Sequence, residues 1–126
     1  MIPDWLQQLT TDFGLRLGLP QLTFNDRDTA GFRTENGFSF QLEYRAEHLY
    51  MILVFPMSGS MDNLEKLLEM VHPEQRLPYA VHAAFKPSPG GMFIIAARER
   101  ELTVPELMAR FECLWKLATA ASSRLG

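Results

Sequence analysis

The 126-residue sequence has a single cysteine, Cys113, so no internal disulfide framework can hold it together. It has three histidines, His48, His72 and His82, which fall in a hairpin turn, at a helix end before Pro73 and in a strand. They share no metal-ligand spacing, and a zinc site needs three or four convergent ligands. Basic charge is not in excess: 12 Lys+Arg against 15 Asp+Glu gives a net charge of −3. That balance offers no electrostatic basis for gripping a phosphate backbone, which argues against a nucleic-acid partner. No apolar run nears the roughly 18 residues of a membrane span, the longest lying around Leu49 to Phe55, so membrane insertion is not expected. The start, MIPDWLQQL, lacks the basic-then-apolar build of a signal peptide. A reducing cytoplasm is the expected setting. Internal repeats and low-complexity segments are also missing.

Catalytic machinery is equally scarce. Cys113 has no Cys-His neighbourhood that the sequence reveals, and a lone cysteine behaves most often as a small hydrophobe. Gly90-Gly91 joins two expected strands and lacks the helix N-terminus and lysine of a phosphate loop, so it reads as hairpin punctuation. Arg98-Glu-Arg-Glu101 alternates in sign and reads as a solvated turn. No catalytic, cofactor-binding or metal-binding residue is assigned, and the protein is expected not to be an enzyme.

What is present is an ordinary globular composition, 47% hydrophobic and 21% charged, in a chain of single-domain length, residues 1–126. Such a chain buries roughly two thirds of its unfolded surface. The spacing of Ile2, Trp5, Leu6, Leu9, Phe13 and Leu17 predicts a helix from about Pro3 to Leu17, stopped by Gly18 and Pro20. Gly14 and Leu15 break its pattern.

A strand from Thr29 to Thr34 and a half-buried one from Phe38 to Tyr44 flank Glu35-Asn36-Gly37. A two-residue turn there would pair Arg33 with Phe40. A three-residue turn with a glycine bulge pairs Phe32 with Phe40 and keeps Arg33 and Glu35 off the buried face, so it is preferred. Arg45 to His48 forms a second turn, and Leu49 to Phe55 is apolar on both faces. Pairing Tyr44 with Leu49 puts Tyr50, Ile52 and Val54 on the outward face beside Ser39, Gln41 and Glu43.

A second helix, capped by Ser58 or Ser60, runs to about Val71 with Met61, Leu64, Leu67, Leu68 and Val71 on one side. Strands follow at Tyr79 to Phe85 and Met92 to Ala97, joined by Lys86-Pro-Ser-Pro-Gly-Gly91. Thr103-Val-Pro-Glu106 has the form of a capping box and opens a last helix to about Ser122. Val104, Leu107, Met108, Phe111, Leu114, Trp115 and Ala118 make its core face, while Ala109, Cys113, Leu117 and Ala120 form a second stripe. The fold class is α+β, in the order αβββαββα: a twisted antiparallel sheet packed with three helices.

Three places carry more apolar residue than one small core requires: Tyr50, Ile52 and Val54; the second stripe of the last helix; and Leu15, Leu19 and Leu22 around the end of the first helix. Together they point to contact with another protein. A small domain holding an apolar ligand between sheet and helix is the alternative, but the sequence offers it no convergent polar groups.

The order αβββαββα, the acidic character, the length and the helix-ending Leu17-Gly18-Leu19-Pro20 together resemble the class I chaperones of bacterial type III secretion. Trp5, Phe13 and the run Leu102-Thr-Val-Pro, Leu107, Phe111, Leu114 and Leu117 are similar to the SycN-like chaperones of the secretion gatekeeper. The resemblance implies a dimer through the second helix and fourth strand, here Leu64, Leu67, Leu68, Val71, Val81, Ala83 and Phe85. It also implies an ATP-independent, cytoplasmic chaperone, with the N-terminal segment of a secreted effector or gatekeeper wrapped on it in extended form. The doubly apolar last helix leaves open a homodimer or a heterodimer with a related chaperone. Leu15, Leu19, Leu22, Tyr50, Ile52 and Val54 are the residues expected to meet a client.

Overall fold

Pro3, with φ −63° and an extended ψ, turns the chain into helix α1 (Asp4–Arg16) in a computed structural model that describes residues 2–86 and 90–125. The helix ends in a Schellman turn: the Gly18 N–H donates to Leu15 O at 3.0 Å, the Leu19 N–H donates to Gly14 O at 2.7 Å, and Gly18 takes φ +80°. The chain then folds back on the helix. A Cβ at position 14 would lie 2.7 Å from the Leu22 Cβ and 2.9 Å from the Leu19 carbonyl oxygen. The bare side of Gly14 is therefore occupied by the protein's own next segment. Leu22, expected on the surface, is buried there.

Strands β1 (Thr29–Arg33), β2 (Ser39–Arg45), β3 (His48–Phe55), β4 (His82–Lys86) and β5 (Gly90–Arg98) form one antiparallel sheet in the order β1-β2-β3-β5-β4. Helix α2 (Met61–Met70) follows β3, and α3 (Val104–Leu125) closes the chain, so the expected order αβββαββα holds. Phe32 pairs with Phe40 across a three-residue loop, closed by the Thr34 N–H to Phe38 O and the Gly37 N–H to Thr34 O. Tyr44 pairs with Leu49, as the alternation requires. Ala46 and Glu47 form the intervening two-residue turn, with φ +52° and +62°. These are the type I′ angles that match strand twist, held here without glycine or asparagine.

Along β3, Leu49, Met51, Leu53 and Phe55 are fully buried, and across the sheet Phe40, Leu42, Phe93, Ile95 and Ala97 share their face. Leu107, Leu114, Ala118 and Ala121 of α3 are buried against them.

Three departures stand out. Trp5, expected in the core, is 40% exposed. Gly90 and Gly91 belong to β5 rather than to a turn, because Gly91 leaves room for the Phe55 ring, which a Cβ would approach to 2.6 Å. The turn residues Pro87 to Pro89 lie outside the described residues. The fourth strand starts at His82, not Tyr79. Pro78 has no N–H for a ladder, and Tyr79 instead lies under the Arg110 guanidinium, 4.6 Å from the ring centre.

Gly14→Ala should lower stability although alanine is the better helix former. Overpacking costs roughly 1–3 kcal/mol, against a propensity gain of about 1 kcal/mol. A urea midpoint unchanged or raised would contradict the close approach. In the second hairpin, Ala46→Asn with Glu47→Gly should stabilise by about 1 kcal/mol, because left-handed L-residues carry a penalty of that size. Thermal unfolding reads this as a higher midpoint.

Candidate protein-binding surfaces

The last helix is seated on the sheet by Phe111. Its ring lies edge-on to Phe40 at 4.9 Å and 86°, 6.2 Å from Phe13, 6.2 Å from Phe32 and stacked on Trp115 at 5.8 Å. Aromatic pairs of this kind contribute about 0.5–1.5 kcal/mol each beyond simple burial. Trp115 in turn packs edge-on to Phe38 at 5.0 Å.

This row of rings runs out to the surface beside β1, an edge strand. There the half-buried Leu17, Leu19, Phe32, Phe111 and Trp115 line a slot between the end of α1, β1 and α3, with Arg33, Thr34, Glu112 and Lys116 around it. On one side of the slot runs the outer edge of β1, where the Thr29 N–H and C=O are bonded to Asn25 and, among the described residues, Gly31 and Arg33 have no ladder partner beyond them. An apolar slot beside a free strand edge suits an extended peptide that adds a strand and inserts alternate side chains.

A second apolar surface lies on the outward face of the sheet. Tyr50, Ile52 and Val54 are half-buried there and pair with Ala96, Ile94 and Met92 of β5. Ile94 and Met92 pair in turn with His82 and Ala84 of β4. The stripe is therefore wider than the three expected residues, because the register between β3 and β5, which are distant in the chain, has no local sequence signal.

Of the expected client residues, Leu15 stands out at 56% exposed, and Leu19 lines the slot. Leu22 is not available, being packed beside Gly14. Among the expected dimer residues, Leu67 is fully buried and Val81 nearly so, both inside the chain's own core. Leu67 is the α2 residue that faces inward. Leu68 is 48% exposed, Leu64, Val71, Ala83 and Phe85 are half-buried, and Met61 is 70% exposed. The face of α2 left open to a partner is thus centred on Met61, Leu64 and Leu68.

The second stripe of α3 is partly covered from within. Leu77, Pro78 and Tyr79 line a cleft together with Ala109, Cys113 and Leu117, and Leu77 and Met70 line another with Leu117 and Ala120; Cys113 is buried, the other three half-buried. Part of the apparent surplus is therefore internal packing. Burial pushes the Cys113 thiol up from its ordinary value, partly opposed by the Lys116 charge, so the thiolate a nucleophile would need is disfavoured.

Arg110 anchors this cover, and no sequence pattern singled it out. Its guanidinium bonds to Glu106 Oε2 at 2.7 Å, Glu106 O at 3.2 Å and Glu101 Oε2 at 3.3 Å, and its side chain is only 5% exposed. Thr103 caps the helix by accepting from the Glu106 N–H. The expected reciprocal bond is not made, because the Glu106 carboxylate turns along the helix to Arg110. Glu101 in addition accepts from the Arg98 N–H at 3.0 Å, which turns the expected solvated Arg98 to Glu101 segment into a closed 3-10 turn.

The histidines stay apart in role: His48 Nδ1 lies 2.9 Å from Ala46 O, His72 Nδ1 accepts from the Glu74 N–H, and His82 is exposed on β4. Among the described residues no cluster of metal-ligating side chains forms, and no helix is long and apolar enough to cross a membrane.

No family model matches the chain, and no curated protein matches it in sequence. Solved structures do. The ExsC-ExsE complex gives a TM-score of 0.81 at 18% identity over 96% of this chain and 93% of that one. The HopA1-SchA chaperone-effector complex gives 0.74 at 19% identity over 92% and 91%. The Yersinia pestis type III secretion chaperone SycH, in complex with a stable fragment of YscM2, gives 0.64 at 15% identity over 93% and 97%. The α+β fold of this chain is that of type III secretion chaperones.

The Arg98 N–H bond, with Arg110 and its neighbours, holds the Glu101 carboxyl below its ordinary value of 4.5. The ionised form therefore favours the folded state above that value, and the contribution fades as pH falls through the lowered one. Glu101→Gln should lower stability at neutral pH and flatten the acid-side loss. An unchanged acid slope in denaturant titrations would count against the ion pair.

Proposed function

We propose that the protein is a non-enzymatic, ATP-independent secretion chaperone that binds the N-terminal segment of a type III effector or gatekeeper protein. It keeps that segment extended and competent for export in a bacterial cytoplasm. The observation that carries this reading is the aromatic slot beside the free edge of β1, on a fold whose solved neighbours include a chaperone-effector complex and a type III secretion chaperone. Such a site needs no nucleotide, since a disordered client binds by ordering itself against apolar pockets and a strand edge.

Leu15 and Leu19 extend the client surface along the end of α1, and Tyr50, Ile52 and Val54 extend it over the outward sheet face. The working form is a dimer, of two copies or with a related chaperone, through the open face of α2 and the free edge of β4. Met61, Leu64 and Leu68 would meet the partner, with Val71, Ala83 and Phe85 behind them. Leu67 and Val81 support that face from inside rather than touching the partner.

Two measurements test this. Light scattering of the purified chain should give twice the monomer mass at micromolar concentration, or the mass of a heterodimer when a related subunit is co-expressed. A stable monomer in both cases removes the dimer. Leu15→Asp and Ile52→Asp should keep the far-UV spectrum and melting temperature while weakening retention of the client N-terminal region by about fivefold or more, the size expected of interface residues worth over 1 kcal/mol. Undiminished retention by Ile52→Asp would take the outward sheet face out of the client surface.

A further inference from the structure

The slot beside β1 carries a charge pattern as well as an apolar floor. Arg33 follows Phe32 on the edge strand, so the two side chains point to opposite faces: Phe32 into the slot and Arg33 to the outward face. Lys116 stands on the opposite wall, one residue after Trp115 on α3. Both cations are exposed, and among the described residues neither has an ion-pair partner. Arg33 thus presents its positive charge on the outward side of the β1 edge, while Lys116 and Glu112 of α3 line the slot itself, in a protein whose net charge is −3. Gly31, two residues before Arg33 on the same outward row, is exposed, and a Cβ there would lie 2.6 Å from the Phe40 carbonyl oxygen, so the position sets no side chain beside that cation.

An extended segment added to the free edge of β1 alternates its side chains in the same way. One set enters the slot against Phe32, Phe111 and Trp115, and the residues between lie in the outward row beside Arg33. A carboxylate in that row would meet an unpaired guanidinium across a strand pair, while a lysine there would meet a like charge. An edge cation also deters indiscriminate strand pairing, and that deterrence is relieved for a partner of opposite sign.

We propose that the β1 slot selects an extended client segment that carries large apolar side chains at alternate positions with a carboxylate between them. The proposal rests on the reading of β1 as the client-binding edge. Its partner is a protein segment defined by that pattern, apolar-acidic-apolar.

The test uses the full chain and two capped, fluorescein-labelled nine-residue peptides with the same alternating leucine and phenylalanine positions, one with aspartate and one with lysine at the central intervening position. Fluorescence anisotropy at low ionic strength should show the aspartate peptide binding about three- to tenfold more tightly, the range expected for one or two cross-strand charge contacts. The preference should shrink with added salt, disappear in Arg33→Ser and reverse in Arg33→Glu. Melting temperature confirms folding of each exposed-site variant. Equal affinity for the two peptides overturns the charge rule and leaves the client edge standing. Binding of neither peptide, with chemical-shift titration at millimolar peptide also silent, overturns the client edge itself.

Discussion

The edge-on contact between Phe111 and Phe40 fixes where α3 sits on the sheet, and most other features follow from that seat. Phe40 is central in β2, and its ring also meets Phe13 at 6.0 Å and Phe32 at 5.4 Å, so one sheet position ties α1, α3 and β1 together. With α3 held there, its neighbouring turns have set tasks. Leu107, Leu114 and Ala118 cover the inward face of β3 and β5, Trp115 caps Phe38, and Arg110 falls where Tyr79 and Glu101 can reach it. The row of rings does not end in the core. It continues through Phe32 and Trp115 to the β1 edge, so the packing that stabilises the fold also forms the floor of the slot.

Elsewhere the chain covers the apolar surface that its sequence creates. Leu22 fills the bare side of Gly14, and the segment Leu77 to Tyr79 runs beside the second stripe of α3, with Tyr79 under the Arg110 guanidinium. The cation over Tyr79 pins a stretch that would otherwise be an ordinary loop, and Glu101 and Glu106 neutralise the buried guanidinium through its two terminal nitrogens, while its Nε has no hydrogen-bond partner among the described residues. Against that background the uncovered places acquire meaning. The β1 slot, the outward stripe of Tyr50, Ile52 and Val54, and the face of α2 around Leu68 are apolar areas that the described residues leave open, as are the clefts beside the second stripe of α3.

Much of the fold was legible because its elements obey simple periods. Strict alternation from Phe38 to Tyr44 fixed the inward set, and the cost of burying Arg33 and Glu35 chose the three-residue turn, which the Phe32 to Phe40 pairing bears out. The limits were of one kind: contacts between residues distant in sequence. Gly14 announced a close approach without saying that Leu22 would make it. Tyr79 alternated properly with Val81 and Ala83, yet a cation on α3, thirty-one positions away, drew it off the strand. Gly91 looked like turn punctuation because the Phe55 ring that needs its space lies on another strand. For the slot, Phe111 and Trp115 were read as core, which half of each ring is. Only the edge position of β1, a property of sheet order, shows that their other side faces a free strand. Arg110 gave no signal at all, since a single arginine at a helical position is ordinary until its burial is known.

The size of the slot bears on how such a protein could hold an unfolded partner. A segment that orders five residues to lie beside β1, itself five residues long, gives up backbone freedom worth about 1–2 kcal/mol per residue, some 5–10 kcal/mol in all. Two or three side chains sunk between Phe32, Phe111 and Trp115 contribute about 1.5–3 kcal/mol each, or roughly 3–9 kcal/mol. Those ranges overlap, so one slot holds a short segment only marginally, and strand pairing with a favourable charge contact decides the sign. Under the proposed reading, a dimer changes this balance without any new contact type. Two slots joined in one particle would engage two stretches of the same client, and the second would bind at an effective concentration set by the chain between them. Weak individual grip then becomes an advantage, since a partner held by several marginal contacts is released piece by piece without the large barrier of one tight site.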